Sequence, residues 1–162
     1  MAKRIVFVRH GKSSWEYQVN DKDRPLKERG ISDAHLIGAA LRSLELPFEA
    51  SFSSPANRAL HTAMIVLRNL NFDLEKFQVT EALYDFSGGT VLEFLRQLDD
   101  RYENVLIFGH NHAFTSLVNM LGDVYLENLP TAGLAVIEAE TENWRTLESG
   151  KTIKIMVPKE LR

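Results

Sequence analysis

The stretch from Arg4 to Trp15 reads RIVFVRHGKSSW. Ile5, Val6, Phe7 and Val8 form an unbroken apolar run of β-branched and aromatic residues, which predicts a strand buried on both faces of a mostly parallel sheet. The run stops at Arg9-His10-Gly11. A cation and an imidazole at the tip of such a strand, followed by a glycine that lets the backbone turn closely, stand where open α/β sheets bind ligands. The plain alternative is a strand end finished with solvated polar residues, and this stretch alone does not separate the two.

Working outward, the polar segment Glu16–Arg24 has no periodicity and reads as a loop lying over the strand end. Between Glu28 and Leu44, the residues Ala34, Ile37, Leu41 and Leu44 recur at three- and four-residue steps, the pattern of an amphipathic helix. A short strand at Glu49–Phe52 leads into Ser53-Ser54-Pro55-Ala56-Asn57-Arg58. Ser54 reads as an N-cap with Pro55 at the first helical position, and Ala59, Ala63, Val66, Leu67 and Leu70 as the buried face of the helix. Arg58 then falls in the first turn. A cation there opposes the helix dipole, yet together with the free backbone N–H groups it makes a good oxyanion site.

Gln78–Thr80 reads as a short strand and Glu81–Asp85 as a loop. Thr90 and Glu93 form a capping box opening a helix with Val91, Leu95, Leu98 and Tyr102 on one face. A second buried run, Val105–Phe108, stops at Gly109-His110-Asn111-His112, and Phe114, Leu117, Val118 and Leu121 follow as a helix. Gly133–Ala139 and Thr152–Val157 are the last strands, the final one alternating as at a sheet edge with one wet face. Alternating strands and helices predict one domain spanning residues 1–162, an α/β/α three-layer sandwich with a mainly parallel sheet and an antiparallel edge.

Composition narrows the chemistry. The chain has 162 residues, a net charge of −3 and no cysteine. Disulfides, thiolate catalysis and cysteine-ligated metal are thereby excluded, and a reducing compartment fits. No charge run offers a footprint for nucleic acid or anionic lipid, and no apolar stretch approaches the roughly 18 residues of a membrane helix or a signal-peptide core. The expected location is cytoplasmic; the oligomeric state is not legible.

In a parallel sheet the C-terminal strand ends share one side, so His10, Arg58 and His110, with Arg9, should converge. Two imidazoles and two guanidiniums suit phosphoryl transfer, whose transition state spreads negative charge over oxygens that guanidinium forks can hold. His10 is the expected nucleophile, forming a covalent phosphohistidine. The competing reading takes His10, His110 and His112 as metal ligands. Two nearby arginines would repel a dication and no carboxylate pair offsets them, so neither a metal nor another cofactor is expected. His112 reads as a rim or packing residue, and His35 and His61 as surface or structural histidines on helices.

Three motifs in order carry a resemblance: Arg9-His10-Gly11 after the first strand, Arg58 within Ser-Pro-x-x-Arg-Ala-x-x-Thr-Ala, and Gly109-His110-Asn111 after a later strand. The chain resembles the histidine phosphatase superfamily, with its phosphoglycerate-mutase-like fold. Arg9–Trp15, the Asp23-Arg24-Pro25-Leu26-Lys27-Glu28-Arg29-Gly30 segment and the compact length look like the SixA-like branch, associated with protein phosphohistidine phosphatases. The resemblance implies His10 as nucleophile, Arg9 and Arg58 as phosphate clamps and His110 as a donor to phosphoryl oxygens, with Ser13 and the backbone N–H of Asn111 as further phosphate contacts. It also departs from the mutase branch: Lys12 and Glu16 stand where that branch has Glu and Asn, and the contact at Glu16 is not carried over. Breaking a P–O bond to an alcohol needs a positioned acid. Glu81 is the first candidate and Asp85 the second, whereas a phosphohistidine could bring its own proton. The expected partner is a phosphorylated protein, the alternatives being a small phosphorylated metabolite or a module that binds a phosphorylated partner without turnover.

Overall fold

The computed structural model describes residues 2–162. The first apolar run is β1 (Lys3–Arg9), and it is followed by α1 (Glu28–Ser43), β2 (Ala50–Ser53), α2 (Asn57–Asn69), β3 (Phe77–Val79), α3 (Gly89–Arg96), β4 (Asn104–Gly109), α4 (Ala113–Leu121), β5 (Leu134–Ala139), β6 (Lys151–Met156) and α5 (Pro158–Leu161). The strands form one sheet in the order β3-β2-β4-β1-β5-β6. β3, β2, β4 and β1 are parallel, while β5 and β6 run antiparallel at one side. This is the expected α/β architecture.

The unbroken apolar runs are explained by the two layers of helix. From β1, Ile5 and Phe7 point into a core shared with Val91 and Leu95 of α3 and Phe114 and Leu121 of α4. Val6 and Val8 point the other way, toward Ile37 and Leu41 of α1 and Val66 and Leu67 of α2. Because both faces are covered, no polar residue can alternate into the strand. Each fully buried aliphatic or aromatic side chain contributes roughly 1.5–3 kcal/mol.

Local details differ from the sequence reading at the helix starts. The N-cap of α2 is Ala56, and its side chain makes no capping bond. Ser54 lies two residues earlier, where its Oγ accepts from Ala56 N–H at 3.2 Å. The capping box is also not formed: α3 opens at Gly88, in the left-handed region at φ 113°, and Thr90 lies already inside the helix. The Asp85 carboxylate does the capping instead, accepting from Gly88 N–H at 3.0 Å and Val91 N–H at 3.1 Å. α3 ends at Arg96, so Leu98 and Tyr102 pack on the core from beyond it. At the β6 edge, a register irregularity opposite Val136 and Ile137 passes over Ile153, which is 50% exposed. The alternation of β6 therefore does not give one wet face, and the chain ends in a short helix instead of extending the strand.

Gly11 has no left-handed backbone. Its reason is space: a Cβ there would lie 2.7 Å from the Gly30 carbonyl oxygen, and a Cβ at Gly30 would lie 2.3 Å from that of Lys12. The start of α1 therefore presses directly on the segment that leaves β1.

Candidate active site

Sheet register assembles the centre. β1 and β4 are parallel neighbours with Arg9 opposite Gly109, so the next residue of each strand is a histidine. His10 N–H donates to the Gly109 carbonyl at 3.1 Å, and the His10 and His110 rings lie 5.3 Å apart by centroid. On the far side of β4, Ser53 of β2 is level with Phe108, and the chain then turns into α2 with Arg58 in its first turn. Arg9, His10, Arg58 and His110 are thus brought to one end of the sheet.

The state of His10 follows from its contacts. Nδ1 lies 2.7 Å from the Gly11 carbonyl, which can only accept, so Nδ1 carries the proton and Nε2 is left with a free lone pair. Burial first, then the neighbouring His110, Arg58 and Arg9, lower the pKa to about 3 against the Gly11 bond, which acts to raise it. The ring is neutral and nucleophilic across the physiological range. A neutral imidazole with one nitrogen pinned as donor is oriented for attack through the other.

His110 is fully buried. Its Nε2 is 2.8 Å from Ser54 Oγ, a hydroxyl that already accepts from Ala56 N–H and has its own hydrogen to donate. If that hydrogen goes to Nε2, the ring proton sits on Nδ1. Nδ1 has no partner in the protein, and neither has the buried Nε of Arg9. Arg9 spends another nitrogen on the Leu129 carbonyl at 2.9 Å. Burial depresses the pKa of Arg9, and burial followed by the charge of Arg58 brings His110 to about 3. An orphaned buried polar group costs about 1–3 kcal/mol, and unpartnered nitrogens on Arg9 and His110 near His10 suit an incoming anion with several oxygens.

Arg58 is buried and already engaged. One terminal nitrogen donates to the Asp21 backbone carbonyl at 2.6 Å and the other to Asp21 Oδ2 at 2.9 Å. The same carboxylate accepts from Tyr84 Oη at 2.6 Å and from Arg24 at 3.2 Å. Partial burial pushes Asp21 up, but the bonds from Tyr84, Arg58 and Arg24 outweigh it and hold the carboxyl at about 2. Tyr84 is raised in turn, first by that bond. Sequence reasoning took Glu16–Arg24 only as a covering loop and missed Asp21, Arg24, Tyr84 and the second role of Ser54. No spacing marks them, since they come from three separate segments.

The remaining candidates lie as follows. Ser13 is at the pocket wall, its Oγ accepting from Arg24 at 2.6 Å. Glu81 is ion-paired with Lys22, and its side chain is 68% exposed. Asp85 is taken up by α3 and by Ser87, whose N–H and hydroxyl it accepts; partial burial raises it, but these backbone bonds keep it below the ordinary carboxylate range. Neither lines the pocket that holds His10. The Asn111 side chain turns to Asn128, His112 and Thr115. His112 is exposed, as are His35 and His61. Among the described residues no group of three or more histidines or carboxylates is placed to hold a metal.

The pocket at this end has a volume of about 310 Å³, bounded by Arg9, His10, Arg58 and, at its mouth, Asp21, Trp15 and Phe86. A cleft of about 340 Å³ between the ends of α1 and α2 contains no histidine. Size alone does not locate the chemistry.

Comparison with known proteins gives the family and the fold. The model of the histidine phosphatase superfamily (branch 1) matches residues 5–92, more than half of the chain. An uncharacterized protein of Mycobacterium tuberculosis is 31% identical over 153 residues, 88% of this chain and 93% of its own length. A 2,3-bisphosphoglycerate-dependent phosphoglycerate mutase of Beijerinckia indica is 37% identical over 73 residues, covering 43% of this chain and 35% of the mutase. The protein histidine phosphatase SixA complexed with tungstate superposes with a TM-score of 0.82 at 24% identity, covering 98% of this chain and 99% of SixA. A SixA structure from Agrobacterium tumefaciens gives 0.80 at 24% identity, covering 96% and 98%.

Proposed function

Because the chain belongs to the histidine phosphatase superfamily, we propose that it is a phosphatase working through a covalent phosphohistidine on His10, without a metal, and that its substrate is phosphohistidine in a protein. The observation that carries this reading is the pair of buried nitrogens without partners, on Arg9 and His110, in the same cluster as the bare Nε2 of a neutral His10. In the first step Nε2 attacks phosphorus as the bond to the leaving group breaks. Arg9, Arg58 and His110 hold the equatorial oxygens, with Ser13 and the Asn111 N–H as further contacts. Water then attacks the phosphorus on His10 and releases phosphate.

That Glu81 and Asp85 do not line the pocket supports a P–N over a P–O bond, since a phosphoramidate can leave without an acid from the protein. The likeness to a phosphoglycerate mutase over the N-terminal half supports the other substrate class, a small phosphorylated metabolite. Single-turnover trapping tests the reading. With a protein labelled on phosphohistidine, the expected result is an acid-labile, base-stable adduct on His10 that is absent from a folded His10→Ala variant. Binding without an adduct would make the protein a phospho-partner module, and greater efficiency on phosphoglycerates or sugar phosphates would assign it to metabolites.

A further inference from the structure

We infer that the mouth of this pocket selects a planar, positively charged leaving group, a protonated imidazole ring, with Asp21 accepting its N–H and Trp15 and Phe86 forming flat walls. The inference rests on the phosphotransfer reading above and adds the residues that choose the leaving group.

Among the described residues bounding the pocket, Asp21 is the only carboxylate. Oδ2 is filled by Arg58 and Tyr84, and Oδ1 takes one bond from Arg24, which leaves an acceptor position on Oδ1. Protonating this group would disrupt bonds from two guanidiniums, so it can accept a hydrogen bond but cannot supply a proton. An alcohol would have to depart as an unprotonated alkoxide facing this carboxylate. That combination is unfavourable twice over. A protonated phosphoimidazole behaves differently: as His10 Nε2 forms its bond to phosphorus, the electron pair of the breaking P–N bond returns to the ring nitrogen. The ring departs neutral, its second N–H still directed to Asp21, and no proton is drawn from the protein.

The walls carry the second observation. Trp15 is 78% exposed and Phe86 44% exposed, both at the pocket. One face of Trp15 is held by the Arg24 guanidinium, 3.3 Å from the ring centroid, and Arg24 also bonds Asp21. Phe86 is braced against His110, with centroids 4.8 Å apart. Two braced but exposed rings beside a fixed carboxylate fit a flat cationic ring through stacking and cation–π attraction.

The test compares two leaving groups that are both planar and need no acid but differ in charge: a phosphohistidine peptide and 4-nitrophenyl phosphate. For Asp21→Asn, the ratio of kcat/KM for the peptide over that for nitrophenyl phosphate should fall about tenfold or more, as for a lost charge-assisted hydrogen bond. For Trp15→Ala, both efficiencies should fall, the peptide's further than that of nitrophenyl phosphate, because stacking is lost for both rings and cation–π attraction for the charged one alone. An unchanged ratio in Asp21→Asn, whether both efficiencies drop or neither does, would reduce Asp21 to a prop for Arg58 and overturn the inference. No effect of Trp15→Ala on either substrate would remove the flat slot. Failure of the parent reading is distinct: the unaltered protein would then not turn over phosphohistidine or label His10 at all.

Discussion

Arg58 meets an incoming phosphoryl group with its two terminal nitrogens already bonded to Asp21. The guanidinium is therefore held by the loop above it rather than by other residues of its own helix, and its fork is oriented before substrate arrives. Preorganised donors of this kind are worth about 10²–10³ in rate, so Arg58→Ala is expected to lose kcat/KM by that factor. Steady-state kinetics checks it, with far-UV circular dichroism confirming the fold; unchanged efficiency would remove Arg58 from the site. Ser54 shows the same economy of placement. Its hydroxyl both accepts from Ala56 N–H at the start of α2 and holds His110 Nε2 at 2.8 Å.

At the scale of elements, α3 depends on a residue outside it. The four bonds accepted by Asp85 from Ser87, Gly88 and Val91 tie the preceding loop to the first turn of α3. Asp85→Ala should therefore cost about 1 kcal/mol in urea unfolding, the usual value of a lost cap. If Asp85 is a cap and not an acid, the pH profile of turnover in that variant keeps the shape seen in the unaltered protein. Loss of the alkaline limb alone would restore it as the proton donor. The capping box at Thr90 and Glu93 is plausible from spacing, but Gly88 accepts a positive φ that threonine would resist, and the helix starts two residues earlier.

Across the whole molecule, two buried neutral histidines make stability depend on pH. His10 and His110 are both held near 3 in the folded chain, against about 6.5 when unfolded. The unfolded state thus binds more protons between these values, so stability is full above about pH 6.5 and falls as pH drops toward 3. At pH 5 the loss is about 2 kcal/mol per ring relative to neutrality. Denaturant unfolding at pH 7 and pH 5 measures it, and His10→Ala should show roughly half the drop. The same shift keeps His10 nucleophilic well below pH 6, so the acid limb of kcat/KM should lie far below the ordinary histidine value. No helix among the described residues is long and apolar enough to cross a membrane.

What the sequence determined by itself was the part of the structure written in local pattern. The doubly buried strands, the amphipathic helices and the junctions carrying Arg9, His10, Arg58 and His110 are each set within a few adjacent residues, and the rule that parallel strands end on one side brings them together. Only the tertiary structure decided how those groups are held. The link from Ser54 to His110, the clasp of Asp21 on Arg58, and the pairing of Glu81 with Lys22 all depend on contacts between segments distant in the chain. Hydrogen bonds and burial act through space, and a carboxylate in a loop shows nothing of its partner until the fold brings the two within 3 Å.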